Sequence, residues 1–297
     1  MSRSQFIHFL AQTILAGVLR LLALLPLPVL RALGRFYGNL MSVMKSRAAR
    51  TTGTNIALCF PELSDEQRKD LARRSLGETG CTIFEMAAIW YWSPLALKRL
   101  VVGFDGQELL DQKLGQGGVI CVCPHWGNWE ITAHAIANRY DAIALYDGRR
   151  LAEHTDRITR KRTRFGLTMA STERTGLRVL LTALKSSRLV IVMPDQVPTR
   201  GNNVLVEFMG VKARTTTLVQ SLVRHTGASV LLLTFQRVPR GFHIRIEPFP
   251  EKAMAGDQET AAQTVNDEIK RIIERDPAQY QWEYKRFRRL PNVDYYA

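Results

Sequence analysis

Residues 118–123, Gly-Val-Ile-Cys-Val-Cys, form a short apolar run that ends at Pro124. It is too brief for a helix of ordinary length and reads as a buried strand. Similar runs recur at 142–146, 188–193, 229–236 and 242–247. Between and around them the pattern turns helical, predicting helices at 64–92, 128–139, 151–165, 174–186, 214–226 and 258–275. Short apolar strands separated by helices specify an α/β fold, with a mostly parallel central sheet flanked by helices and an antiparallel hairpin over 229–247. In such sheets, sites form outside the carboxyl ends of strands. His125 and Asp195 each directly follow a predicted strand.

The N-terminus carries a different signal. Residues 6–30 are a 25-residue apolar run interrupted by His8, Gln12, Thr13 and Arg20 and broken late by Pro26 and Pro28. The length suffices for a bilayer, although Arg20 would sit near its middle. A cleaved signal peptide is disfavoured, because no small-x-small site follows. A buried core helix is the plainer alternative. The expectation is an N-terminal hydrophobic anchor helix, spanning the membrane or lying in its interface with Arg20 snorkelling to headgroups. Lys45, Arg47 and Arg50 follow it, as suits an anionic cytoplasmic leaflet. This divides the chain into an anchor with a basic juxtamembrane segment, 1–45, and an α/β domain, 46–297.

The chain of 297 residues holds 41 basic and 27 acidic side chains, a formal charge of +14. Such a surface seeks anionic partners: nucleic acid, acidic lipid, or an acidic protein or substrate. Nucleic acid is disfavoured, because the basic run 147–166 contains Phe165 as its one aromatic residue. Four cysteines without a C-x-x-C pair read as reduced, buried thiols. His125 has no second histidine at i+4 and no clustered carboxylates appear, so no metal site is expected.

The chemistry concentrates in Pro124-His125-Trp126-Gly127-Asn128-Trp129-Glu130. Residues five apart on one helix point roughly 140° away from each other, at about 100° per residue. His125 and Glu130 therefore meet only if the histidine lies on the turn and the glutamate on the first helical turn. Gly127 and Asn128 supply that break. A carboxylate on one ring nitrogen fixes the tautomer and raises basicity at the other, making a general base. The bland alternative is a satisfied histidine at a strand end, with Glu130 as a favourable first-turn charge. No G-x-S-x-G elbow occurs, and Cys123 reads as core, so the base would activate a substrate hydroxyl for direct attack. The run 147–166 carries seven basic residues, with Arg150, Arg157, Lys161 and Arg164 on one helical face. That face is either simply solvated or meets a phosphorylated or acidic partner. Asp195 positions a substrate or an arginine, or caps its loop.

Several blocks also resemble a known family. His125-Trp-Gly-Asn-Trp-Glu130 resembles the H-x-x-x-x-D/E signature of glycerolipid-type acyltransferases. MPDQVPTRGNNVLVEFMGVKARTTT (193–217), DPAQYQWEYKRFRRLPN (276–292) and TNIALCFPELSDEQR (54–68) resemble blocks of the bacterial lipid A late acyltransferases, the lauroyl/myristoyl class. The resemblance covers nearly the whole chain. It implies a glycerolipid acyltransferase-like fold. It also implies transfer of a fatty acyl chain from acyl carrier protein to a hydroxyl of an acylated lipid A precursor, with no cofactor beyond the acyl-carrier donor. By implication His125 is the general base and Glu130 orients it. Arg162 or Arg164 steadies the oxyanion, and Asp195 is the P-D-Q aspartate. Where the family often has Tyr-Arg-Pro, this chain departs with Tyr146-Asp147-Gly148-Arg149-Arg150, and Arg149 and Arg150 stand as substrate-binding candidates in that loop. The implied location is the inner membrane, with the catalytic domain facing the cytoplasm. The same fold also serves acyl transfer to a glycerophospholipid, glycolipid or ornithine lipid; the Tyr-Gln-Trp block favours the lipid A class.

Overall fold

The computed structural model describes residues 3–146, 155–171, 174–198 and 201–296. Four helices open the chain: α1 (Arg3–Leu22), α2 (Leu27–Val43), α3 (Arg47–Cys59) and α4 (Asp65–Tyr91). Then come α5 (Pro94–Leu100), β1 (Val101–Asp105), α6 (Gln107–Gln116) and β2 (Val119–Val122). After β2 lie the short α7 (Thr132–Ala135), β3 (Ala142–Tyr146), α8 (Thr155–Arg162), β4 (Thr168–Ser171), α9 (Arg174–Lys185) and β5 (Leu189–Val192). The chain ends with β6 (Asn203–Phe208), β7 (Val211–Thr216), α10 (Leu218–Thr226), β8 (Ser229–Val238), β9 (Gly241–Pro248) and α11 (Gln258–Ile273).

Seven strands form one sheet in the order β1-β9-β8-β2-β5-β3-β4. From β8 to β4 all neighbours are parallel, and β8–β9 is the expected antiparallel hairpin. Both faces are covered. Ile120, Val122, Val190 and Val192 point into a core closed by α9, α10 and α11. Val119, Cys121, Leu189 and Ile191 point into a second core with α5, α6 and the C-terminal end of α4. This two-sided burial explains why β2 and β5 show no polar alternation. Strands β6 and β7 pair apart from the main sheet.

Several expectations change. The apolar run 6–30 is not one helix: it splits at Pro26 between α1 and α2, because proline cannot continue the hydrogen-bond ladder. Among the described residues no helix is long and apolar enough to cross a membrane, so a spanning anchor helix is not what these residues form. Helix α2 instead lies along α4 at close range. A Cβ on Gly38 would stand 2.2 Å from the Leu76 carbonyl oxygen, and one on Gly34 2.7 Å from the Cys81 Cα. Arg20 is exposed and sits 5.8 Å from the Tyr91 ring centre. The helix expected at 128–139 is a single 3-10 turn, Trp129–Ile131, followed by α7. The helix expected from 214 begins only at Leu218, because Arg214–Thr216 pair with Asn203–Leu205 in the β6–β7 hairpin.

Candidate active site

Strands β2 and β5 lie side by side in parallel register, with Val122 opposite Val192. Each leaves the sheet through a proline, Pro124 and Pro194, and each then presents a titratable residue three positions past its last paired one: His125 and Asp195. The topology therefore brings these two together. The His125 backbone N–H donates to Asp195 Oδ2 at 2.8 Å, and the ring Nδ1 meets Oδ1 at 2.8 Å. Asp195 is wholly buried. Burial pushes its carboxyl upward, but the adjacent His125, through charge and hydrogen bonds, holds it below the usual carboxylate range. An ionised Asp195 accepts from Nδ1–H, which fixes the imidazole tautomer and leaves the Nε2 lone pair outward. Gln196 Nε2 approaches that nitrogen at 3.2 Å and also donates to Gln281 Oε1 at 3.1 Å.

The loop around His125 is held by its backbone. Gly127 adopts φ 69°, and a Cβ there would stand 1.8 Å from the Phe235 carbonyl oxygen, so glycine is required. Gly127 N–H donates to the Gln279 carbonyl at 3.0 Å, Asn128 N–H to Phe235 at 2.9 Å, and Gln281 N–H to the His125 carbonyl at 3.1 Å. The Trp129 ring packs edge-on to the imidazole, with centroids 4.9 Å apart.

Glu130 occupies the first helical turn, as expected, but it is not the residue bonded to the imidazole. Its carboxylate accepts from Arg162, through Nη2 and through Nε at 3.2 Å, and from Trp90 Nε1 at 3.3 Å. The 3-10 turn aims it toward α8, while Asp195 already holds Nδ1 from the neighbouring strand. Burial pushes the Glu130 carboxyl upward, yet the Arg162 charge and hydrogen bonds bring it below the ordinary range. Of the two candidate arginines, Arg162 lines the cavity. Arg164 instead donates to the Trp90 carbonyl at 3.2 Å and stacks on Phe165. Arg149 and Arg150 lie outside the described residues. Cys123 is buried in the core, and burial, reinforced by the Asp195 charge, pushes its thiol well up, which suits packing rather than nucleophilic attack.

A cavity of about 760 Å³ lies against this group. The polar lining includes His125, Glu130, Arg162, Gln196 and Gln281, and the apolar lining includes Ala144, Leu145, Met169, Leu177, Leu180 and Ile191. These come mainly from β3, β4, β5 and α9. One imidazole whose Nε2 lies beside the Gln196 amide at the cavity wall, one buried ion pair and an apolar chamber suit proton abstraction from a hydroxyl beside a long apolar group. Gln281 is the site residue that motif reading leaves unassigned, whereas Gln196 belongs to the P-D-Q block. Gln196 adjoins Asp195 in sequence, but Gln281 arrives through the C-terminal segment, whose path along the His125 loop leaves no local signal.

Residues 3–289 match the family described as bacterial lipid A biosynthesis acyltransferase. The chain is 26% identical over 280 residues to the lipid A biosynthesis lauroyltransferase of Escherichia coli (strain K12), covering 93% of this chain and 90% of that protein. It is 30% identical over 283 residues to the palmitoleoyltransferase of the same organism, with 93% and 90% covered. To the myristoyltransferase of that organism it is 23% identical over 261 residues, covering 86% and 78%.

Proposed function

The chain belongs to the bacterial lipid A biosynthesis acyltransferase family, and on that premise we propose that it transfers a fatty acyl chain from acyl carrier protein to a hydroxyl of an acylated lipid A precursor. The observation that carries this reading is the His125 Nδ1–Asp195 Oδ1 contact of 2.8 Å, at the wall of a cavity of about 760 Å³ with a largely apolar lining. Burying an acyl chain there contributes about 0.8 kcal/mol per methylene, enough to select a long-chain donor over a short one.

The steps follow from the geometry. Nε2 takes the proton of the acceptor hydroxyl as its oxygen attacks the thioester carbonyl. The imidazolium so formed is stabilised by ionised Asp195. Charge develops on the former carbonyl oxygen, where a guanidinium is the natural stabiliser. Arg162 fits that role: of its five N–H donors, one on Nε and one on Nη2 are engaged with Glu130. The tetrahedral intermediate collapses, the carrier leaves as thiolate, and the imidazolium returns the proton to it. An ester has formed and a thioester has broken. Glu130 is in this account the residue that holds Arg162. Glu130→Gln and Arg162→Met are each expected to lower kcat by roughly 10²-fold. Their double variant should be no worse than the poorer single, because the two act as one unit. Additive losses, measured by steady-state kinetics on the four proteins, would separate the pair.

The basic surface suits both an acidic carrier protein and a phosphorylated glycolipid. Membrane contact is proposed through the exposed apolar side chains of α1, α2 and the turn between them, among them Ile14, Leu15, Leu24, Leu33, Phe36 and Leu40. Lys45, Arg47 and Arg50 are exposed just after them, which supports a location on the cytoplasmic face of the inner membrane. The direct test is mass spectrometry of lipid A from cells with and without the protein, paired with purified enzyme, an acyl-carrier thioester and a hydroxyacylated lipid A precursor. A product one acyl chain heavier is expected. Transfer to glycerol phosphates alone would overturn the lipid A assignment.

A further inference from the structure

Glu85 lies in the C-terminal half of α4 with its side chain 0% exposed, remote in sequence from His125, Glu130, Arg162 and Asp195. Three elements converge on its carboxylate. Arg31 of α2 donates from Nε at 2.6 Å, and Arg237 of β8 donates from Nη2 at 2.9 Å and Nε at 3.0 Å. Asn128, in the loop that carries the site, donates from Nδ2 at 2.7 Å. Arg237 also reaches Glu78 at 2.6 Å and Thr82 at 2.7 Å. The remaining Arg31 nitrogens bond the carbonyls of Val238, Pro239 and Gly241 at 2.6, 2.9 and 2.9 Å.

Stability alone is a weak account of this cluster, because packed apolar side chains often replace buried ion pairs without loss. The Asn128 amide gives it another purpose. Its nitrogen is engaged with Glu85, and its oxygen accepts the Glu130 backbone N–H at 3.1 Å, capping the 3-10 turn. An amide turned the other way would lose both bonds and place its oxygen against a carboxylate. The Glu85 charge therefore decides which way Asn128 faces, and Asn128 sets the turn that aims Glu130 at Arg162.

We propose that Glu85 is a positioning residue for acyl transfer, orienting Asn128 so that the Glu130–Arg162 pair meets the cavity in register. This role rests on the acyl-transfer reading, so its test carries one readout that does not. Glu85→Asp keeps the charge between the two arginines and withdraws the carboxylate from Asn128 by one methylene. It should lower kcat by about 10–100-fold, the scale of an ångström misplacement at a site, with KM for the acyl donor little changed. Amide exchange at Glu130, followed on the peptide 126–132, should quicken. Glu78→Gln removes another partner of Arg237 without touching Asn128; it should lower Tm and leave kcat within about twofold. Glu85→Gln keeps the reach, loses the charge and sets an NH2 against donors on one side, so it should also quicken exchange at Glu130 and lower kcat, with a larger cost in Tm than Glu85→Asp. Wild-type kcat and exchange in Glu85→Asp, or an equal loss of kcat in Glu78→Gln, would overturn the assignment. Should Glu85→Asp not fold, Glu85→Gln decides alone: accelerated exchange at Glu130 supports the assignment and unchanged exchange overturns it. If the wild-type protein transfers no acyl chain, the functional reading fails, and exchange in Glu85→Asp still decides the positioning role.

Discussion

His125→Asn is expected to lower acyl transfer by about 10²–10⁴-fold, the usual contribution of a general base, while the protein stays folded. Asparagine is the informative replacement. Its amide nitrogen falls near the place of Nδ1 and can keep the donor to Asp195 Oδ1, a contact of 2.8 Å in the wild type. The backbone bonds of position 125, to Asp195 Oδ2 at 2.8 Å and from Gln281 N–H at 3.1 Å, do not depend on the side chain. What disappears is Nε2, the one atom assigned to the proton. His125→Ala should show the same kinetic loss with a lower Tm, because it also strips a buried carboxylate of a donor. Kinetics with a labelled acyl-carrier thioester and a thermal melt separate the two effects. Transfer by His125→Asn within tenfold of wild type would move the base elsewhere.

The contrast between Glu130 and Asp195 shows how much of the site the sequence discloses. A partner five residues from His125 can be reasoned out from helical geometry, because both ends lie on one local segment. A partner 70 residues away depends on which strand neighbours which, and strand order is set by long-range packing that no window of residues records. A signal was nonetheless present. Cys-Pro-His at 123–125 and Met-Pro-Asp at 193–195 both close a fully apolar strand with proline and a titratable residue, the expected form of two neighbouring strand ends in a parallel sheet.

The strands β2, β3, β5 and β8 were legible because their cores are continuous apolar runs, and β9 because Phe-His-Ile-Arg-Ile-Glu alternates. Strand β4 escaped, since Thr-Met-Ala-Ser at the sheet edge is partly exposed and hardly apolar. The β6–β7 hairpin escaped because Val-Lys-Ala-Arg-Thr-Thr merges with the helical pattern of α10. The N-terminal run misled for a different reason. Hydropathy sums the faces of a helix together, whereas α1 and α2 each have two. Ala16, Leu19, Leu27 and Leu30 are buried, and Ile14, Leu15, Leu21 and Val29 are exposed. Glu85 was hidden the same way, as one carboxylate among the apolar positions of a long helix.

Asp195→Asn is expected to be as damaging as loss of the base itself, about 10³–10⁴-fold in kcat, the scale of a carboxylate-to-amide exchange behind a catalytic histidine in a Ser-His-Asp triad. The two oxygens of Asp195 serve two donors at once, the His125 backbone N–H at Oδ2 and the ring at Oδ1, each at 2.8 Å. An asparagine has one oxygen for these two donors. The backbone N–H cannot change its role, so it keeps the amide oxygen, and the amide nitrogen must face the ring. Nδ1 can then only accept, the ring proton moves to Nε2, and the atom facing the cavity becomes a donor in place of a base. Size, burial and the loop hydrogen bonds are nearly unchanged, so Tm should fall far less than the rate. Glu130→Gln provides the comparison, because it weakens the hold on Arg162 without touching the ring. NMR of the ring nitrogens should report protonation on Nδ1 in the wild type and on Nε2 in Asp195→Asn. An Asp195→Asn enzyme that is slowed less than Glu130→Gln, with its ring proton still on Nδ1, would return the orienting role to Glu130.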